Sequence, residues 1–172
     1  MGRDKADLPH PGGGTFLDHA VSRLATIATQ VAVSGRAGRQ PEELAIADQM
    51  AEQGPAMAVW SAVRYAAQAG FSSVLVTPVD MPDLQSQHLR QLMDSAAIDC
   101  PTCASFDGQT PHPLVAIYPV ILASELETVA RSEQRSLRAW LLHRPVQRVQ
   151  LPDAAKRDCN TPSNLGDGRH PT

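Results

Sequence analysis

Several things are scarce in this chain of 172 residues. Aromatic residues make up 4% of it, and there are three cysteines. No stretch approaches the roughly 18 consecutive apolar residues that a membrane-spanning helix needs. No charged-then-apolar leader opens the chain, so a cytoplasmic protein is the default expectation. Basic residues are not in excess: 15 Lys and Arg stand against 18 Asp and Glu, for a net charge of −3. That balance argues against non-specific binding of nucleic acid, which needs a basic surface. There is also no Gly-x-Ser-x-Gly elbow, so nucleophilic hydrolase chemistry is a poor fit.

The cysteines exclude more than they promise. Cys100 and Cys103 form a Cys-x-x-Cys, and Cys159 stands alone. The residues around the pair read as an extended strand, where positions i and i+3 face opposite sides. No second Cys-x-x-Cys follows, so packed, reduced thiols are expected rather than half of a zinc site.

What remains is an alternation of short apolar runs with helical periods, the pattern of an α/β domain with a largely parallel sheet and helices on both faces. Apolar residues make up 42% of the chain, enough for one core. Residues 1–165 read as one domain and 166–172 as a frayed tail. Residues 6–14 read as a flexible loop. Thr15 is placed to cap a helix carrying Phe16, Leu17, Ala20, Val21, Leu24 and Ile27 on one stripe. Short strands are expected at 31–33 and 44–47. Gly54-Pro55 opens a helix, proline being tolerated where its missing N–H would have no partner. The clearest strand is 73–77, apolar on both faces and therefore expected in the sheet interior. A helix is expected at 86–97, and helical spacing returns at 120–130 and 136–143. Residues 102–106 and 114–118 read as a hairpin or two neighbouring strands, with a turn at Asp107-Gly108. Residues 146–151 alternate as an edge strand does.

Ligands of open α/β sheets bind beyond the carboxyl ends of the strands. Asp4, Asp48 and Asp80 fall at such places. Asp80 is the sharpest, because Pro78 and Pro82 restrict the backbone on either side of it. A hard carboxylate held there suits Mg²⁺, which takes one or two protein carboxylates and fills its shell with phosphate and water. A capping or turn aspartate is the plainer alternative. Lys5 is a candidate phosphate clamp. Gly12-Gly13-Gly14 precedes a helix, but no strand feeds it and no Lys-Ser/Thr follows, so it fails the phosphate-loop pattern. His112-Pro113 and Asn160-Thr161-Pro162 read as turns. His19, His88 and His143 sit in helical segments without a metal-ligand partner at the required spacing.

Taken in order, these segments resemble the molybdenum cofactor guanylyltransferase family. Met1-Gly2-Arg3-Asp4-Lys5-Ala6 is similar to the end of its glycine-rich signature. Phe16-Leu17-Asp18-His19 and Val31-Ala32-Val33-Ser34 are similar to its first helix and the strand that follows. Asp48 with Gly54-Pro55, Pro78-Val79-Asp80-Met81-Pro82, His112-Pro113-Leu114 and Asn160-Thr161-Pro162 follow in the family's order. Ala56-Met57-Ala58 departs from the usual Leu and Gly. Asp4 stands where the related cytidylyltransferase has proline, which favours guanylyl transfer.

The resemblance implies a Rossmann-like three-layer nucleotidyltransferase fold with a mostly parallel sheet. It implies transfer of GMP from GTP to molybdenum-loaded molybdopterin with Mg²⁺, releasing pyrophosphate. It implies Lys5 and Asp80 as catalytic residues, Asp80 as the metal ligand, and Gly2, Asp4, Lys5 and Asp48 at the nucleotide. Arg135 and Asn160 would meet the pterin. Partners would be GTP, the molybdopterin cofactor and the proteins that insert or accept that cofactor, with neither nucleic acid nor membrane. The family's first strand and its Ala-Gly-Gly turn are not among these residues. Omitting about five buried apolar side chains forfeits roughly 7–15 kcal/mol, which rivals the whole stability of a domain. Two strand edges would then stand unpaired and open to another chain. The expectation is therefore little or no GTP binding and transfer by this chain alone. A non-catalytic binding or scaffold relative, or a mis-started gene product, is the alternative.

Overall fold

A computed structural model describes residues 5–34, 44–46 and 54–156; the side chains of Lys5, Leu44 and Ala45 fall outside that description. Gly2, Asp4, Asp48, Cys159, Asn160 and the tail expected at 166–172 also lie outside the described residues.

The architecture is α/β, as expected. Helix α1 (Phe16–Ala25) leads to strand β1 (Ala32–Ser34), which pairs in parallel with β2 (Leu44–Ile46). Helix α2 (Pro55–Gln68) then crosses to β3 (Ser73–Val76). After α3 (Ser86–Asp94) come β4 (Thr102–Ser105) and β5 (His112–Pro119). A 3-10 turn, α4 (Ala123–Arg131), α5 (Leu137–Leu142), β6 (Gln147–Gln150) and a last 3-10 turn (Asp153–Lys156) follow.

Strands β3 to β6 form one sheet in the order β3-β5-β4-β6. β5 runs antiparallel to both β3 and β4, while β6 is parallel to β4. β3, β4 and β6 therefore point the same way and β5 alone runs against them. The turn between β4 and β5 is held by Asp107, whose carboxylate accepts from the N–H groups of Gln109 (2.8 Å) and Thr110 (2.6 Å) and from the Ser105 hydroxyl (3.0 Å). These bonds hold its carboxyl well below the usual carboxylate range.

Side chains alternate across the sheet with the period of two that a strand dictates. Cys103, Ala116 and Tyr118 face one core with α2, α4 and α5. Ala104, Val115 and Ile117 face the other with α3, Met81 and Leu84, and Leu24 and Ile27 at the end of α1 pack against it. Both faces are covered, which makes three layers.

The ends of the elements follow local chemistry. Thr15 caps α1 by accepting from the Asp18 N–H at 3.2 Å, while Asp18 accepts from the Thr15 N–H at 2.7 Å. α3 stops at Asp94, short of the expected 97: the Ala97 N–H is taken by the Thr102 hydroxyl at 3.0 Å instead of a helical carbonyl. His112 and Pro113 lie inside β5 and not in a turn, and the Pro113 carbonyl accepts from the buried Tyr118 hydroxyl at 2.7 Å. The glycine run is a closed turn, with the Gly13 N–H on the His10 carbonyl and the His10 N–H on the Gly14 carbonyl, both 2.9 Å. Gly13 and Gly14 have φ of 87° and 69°, the left-handed region glycine enters without penalty.

One expectation needs correcting. The 73–77 run was expected as an interior strand, yet among the described residues β3 ends the four-stranded sheet. Its residues are apolar on both faces because helices cover both, not because strands flank it on both edges. Val74, Leu75 and Val76 are half-buried. Among the described residues, no helix is long and apolar enough to cross a membrane.

Candidate active site

Asp80 sits in the segment between β3 and α3, four residues past the carboxyl end of β3. The sequence places it there by pinning its neighbours. Met81 and Leu84 are essentially fully buried in the α3-side core. The Leu84 N–H returns to the Met81 carbonyl at 3.3 Å, closing a turn just after Asp80.

Arg23 of α1 adds a clamp across 58 residues. Its Nη1 donates to the Met81 carbonyl at 3.2 Å and to the Leu84 carbonyl. The guanidinium is largely buried, and burial draws its pKa below the ordinary arginine value. Its Nε and Nη2 are buried with no hydrogen-bond partner among the described residues. A partly buried cation spent on two backbone carbonyls is a costly way to fix a loop. It does so from a position the sequence could have flagged: 16, 20, 23 and 27 lie on one helical stripe, and 23 is the one charged residue among them.

The start of α3 is fixed by a second device. The Gln85 N–H donates to His88 Nδ1 at 3.1 Å. His88 is 8% exposed, and burial lowers its pKa. Its role is that of a helix cap. His19 and His143 are also locally engaged, His19 Nε2 lying 2.6 Å from the Gly13 carbonyl and His143 Nδ1 2.8 Å from that of Ala139.

The other expected site residues are distributed as follows. Lys5 opens a short 3-10 turn, Lys5–Asp7, which packs against α1. Arg135 lies in the turn between α4 and α5 with φ of 41°, a sparsely populated conformation for a residue with a side chain. Its Nε donates to the Ser132 carbonyl at 3.2 Å and its own N–H to the Ser132 hydroxyl at 3.1 Å, so this exposed arginine is turned back on its own loop.

The donor set fits a magnesium ion better than a structural metal. Among the described residues no group of three or more His, Cys, Asp or Glu could hold a metal. Asp80 is a half-buried carboxylate beyond a strand end, a donor of the kind that could serve Mg²⁺, which takes one or two protein carboxylates and fills its shell with phosphate and water. Cys100 and Cys103 do not compete. Cys103 is fully buried in the α2-side core, where burial pushes its thiol up to about 12, and both Cys100 and Cys103 are free.

Comparison with known proteins identifies the family. A family model described as MobA-like NTP transferase domain matches residues 1–149. A probable molybdenum cofactor guanylyltransferase of Rhodopirellula baltica is 39% identical over 96% of this chain and 84% of its own length. One from Mycobacterium avium is 31% identical over 90% of this chain and 80% of its own. Among solved structures, a molybdopterin-guanine dinucleotide biosynthesis protein A from Archaeoglobus fulgidus superposes with a TM-score of 0.65 at 22% identity, covering 95% of this chain and 88% of that one. A 2-C-methyl-D-erythritol 4-phosphate cytidylyltransferase from Thermus thermophilus gives 0.63 at 18% identity, over 94% and 90%. The shared fold, the Asp80 loop beyond a strand end and the match over most of the chain lead to one conclusion: this chain belongs to the MobA-like NTP transferase family, nucleotidyltransferases of molybdenum cofactor biosynthesis.

Proposed function

We propose that the reaction is transfer of GMP from GTP to molybdenum-loaded molybdopterin. A terminal phosphate oxygen of the pterin attacks the α-phosphorus of GTP. The new P–O bond forms as the bond from that phosphorus to the bridging oxygen breaks, and pyrophosphate leaves with the electron pair. The attacking oxygen is already ionised at neutral pH, so no general base is required. Alignment and neutralisation of phosphate charge suffice.

The observation that carries this reading is the fixed position of Asp80 beyond the end of β3. Asp80 would hold Mg²⁺, which supplies charge neutralisation at the triphosphate. Met81, Leu84 and Arg23 keep the carboxylate from drifting, so little reorganisation accompanies binding. Lys5 would add a point cation at the phosphates. Gly2, Asp4 and Asp48 would line the nucleotide, and Arg135 and Asn160 the pterin. For Arg135 this requires its side chain to swing away from the Ser132 carbonyl.

Asp80→Ala tests it, in a version of the chain extended ahead of Met1 by an apolar strand and an Ala-Gly-Gly turn. Guanylyl transfer should fall by roughly 10²–10³-fold, with the thermal midpoint close to that of the unsubstituted protein. Near-normal turnover would remove Asp80 from the metal site. Calorimetric titration with Mg·GTP, on the chain as it stands and on the extended one, measures what the glycine turn adds.

A further inference from the structure

Arg23, the clamp on the Asp80 segment, also lines a cavity together with two histidines, His10 and His19. The cavity has a volume of about 280 Å³, just under the roughly 300–1,000 Å³ of drug-sized sites. Its apolar walls include Phe16 of α1 and Val79 and Pro82, which stand on either side of Asp80. Among the described residues no carboxylate lines it.

The glycine turn builds the histidine pair. The two rings are stacked, with centroids 3.6 Å apart and planes at 26°. A Cβ at Gly12 would stand 3.2 Å from atoms of both rings, so their close approach needs glycine there. The Gly12 N–H donates to His10 Nδ1 at 3.0 Å, which puts the His10 proton on Nε2. His19 Nε2, 2.6 Å from the Gly13 carbonyl, must be the donor of that pair, which leaves its Nδ1. His10 therefore offers an N–H from its neutral ring, and His19 offers a second one when its ring is protonated. Two nitrogens of Arg23 are buried with no hydrogen-bond partner among the described residues. Burial, and after it the charges of His19 and Arg23, lower the His10 pKa, so these groups disfavour one another's charge while no anion is present.

We propose that this cavity is an anion site that takes a phosphate group, free or on a small apolar stem, separate from the nucleotide phosphates assigned to Lys5 and Asp80. The donors are His10 Nε2, protonated His19 Nδ1 and the Arg23 guanidinium. A phosphate has three or more oxygens to share among three such side chains, where a carboxylate has two. The stem lies along Phe16, Val79 and Pro82. A metal cation would instead meet the charge of Arg23 and a His10 nitrogen that already carries a proton. Occupancy ties the glycine turn and α1 to the segment that carries Asp80.

The test is a titration of the chain as it stands, at fixed ionic strength, followed through the histidine ring signals in proton–nitrogen NMR spectra. Inorganic phosphate should move the His10 and His19 rings saturably and leave His143 where it is. Glycerol 3-phosphate is the second probe. Tighter binding than phosphate makes a phosphorylated small molecule the ligand, and equal or weaker binding makes it the free ion. His19→Gln keeps a donor for the Gly13 carbonyl but removes the charge, and should weaken binding at least roughly tenfold. His10→Asn keeps an acceptor for the Gly12 N–H but loses Nε2, and should weaken it about three- to tenfold. Thermal midpoints report whether the variants are folded, and the ring shifts of the unsubstituted chain test the site without them. Sulfate, whose charge is constant from pH 8 to 6, should bind more tightly as pH falls, and His19→Gln should lose that trend. His19 faces His10 across the stack and Asp18 and Arg23 on its own helix. Asp18 is held ionised chiefly by its bond from the Thr15 side chain, and the lining residues of the Asp80 segment are uncharged, so of these groups only the imidazoles change charge in that range. None of these readouts involves GTP, so the proposal is tested apart from the transferase reading. Rings unmoved by both phosphate probes would overturn it, as would unchanged affinity in both folded variants or a flat sulfate profile.

Discussion

Strands β5 and β3 lie side by side and are built from similar residues, yet they occupy different circumstances. β5 pairs along both edges, with β3 and with β4, and Val115, Ala116 and Tyr118 within it are 0% exposed. Among the described residues β3 pairs along one edge, and Val74, Leu75 and Val76 remain half-buried beside the cavity between α1 and α2. An apolar run says that a strand will be covered on its faces. It says nothing about its edges, which depend on what the rest of the chain brings alongside. Stability should therefore be distributed unevenly, high around β5 and lower around β1 and β3.

The sharpest way to break that comparison is Tyr118→Ala. It removes a fully buried ring and its hydrogen bond to the Pro113 carbonyl. A loss of about 3–5 kcal/mol is expected in urea unfolding, and a loss under about 1 kcal/mol would mean the β5 side is looser than its packing implies. Arg23→Met comes next. It leaves the Met81 and Leu84 carbonyls without their donor, at about 1–3 kcal/mol, but relieves two buried nitrogens that have no partner among the described residues. In the chain extended ahead of Met1, transfer activity should fall more than stability does, because the loop that carries Asp80 is released; a variant with lower stability and intact turnover would make Arg23 a purely structural residue.

His88 gives a smaller effect with a pH signature. Its pKa, like that of His10, is lowered chiefly by burial, so the folded state favours the neutral ring. The sign follows directly. Above the unfolded value of about 6.5 the contribution is fully present, and it is lost as pH falls from there toward the lowered folded value, because the unfolded chain then binds more protons. His88→Ala should cost about 0.5–2 kcal/mol at pH 7.5 through the lost cap. It should also flatten the decline in thermal midpoint between pH 7.5 and 5. An unchanged slope would place the titration elsewhere. The smallest effect is expected at the cavity between α1 and α2, which Val21 lines. Val21→Ala there should cost less than about 1 kcal/mol, against about 1.5–3 kcal/mol for Val63→Ala on the packed face of α2. Equal costs would mean that cavity is closed in solution.

How much of this was legible follows the range of the interactions. The Thr15 cap, the proline at the start of α2, the Asp107 turn and the edge character of β6 are set by residues close in sequence, and all could be read there. The direction of β5 could not, because a hairpin and two neighbouring strands have the same apolar pattern. The turn that carries Asp80 could be read from its flanking prolines. The clamp that fixes it did not, since Arg23 reaches across about sixty residues to backbone carbonyls, which carry no sequence signature. Gly2, Asp4, Asp48 and Asn160 rest on the family resemblance and lie outside the described residues.

The buried thiol of Cys103 has a practical consequence. It sits in β4 with its proton held up to about pH 12, while Cys100, three residues earlier, is only partly covered. Thiolate is the reactive form, so an alkylating reagent should modify Cys100 quickly and wait for Cys103 until β4 opens. The chain thus carries two chemical clocks a few residues apart. One keeps the time of the solvent and the other the time of the core, and their ratio gives the opening rate of the best-packed part of the sheet without any introduced label.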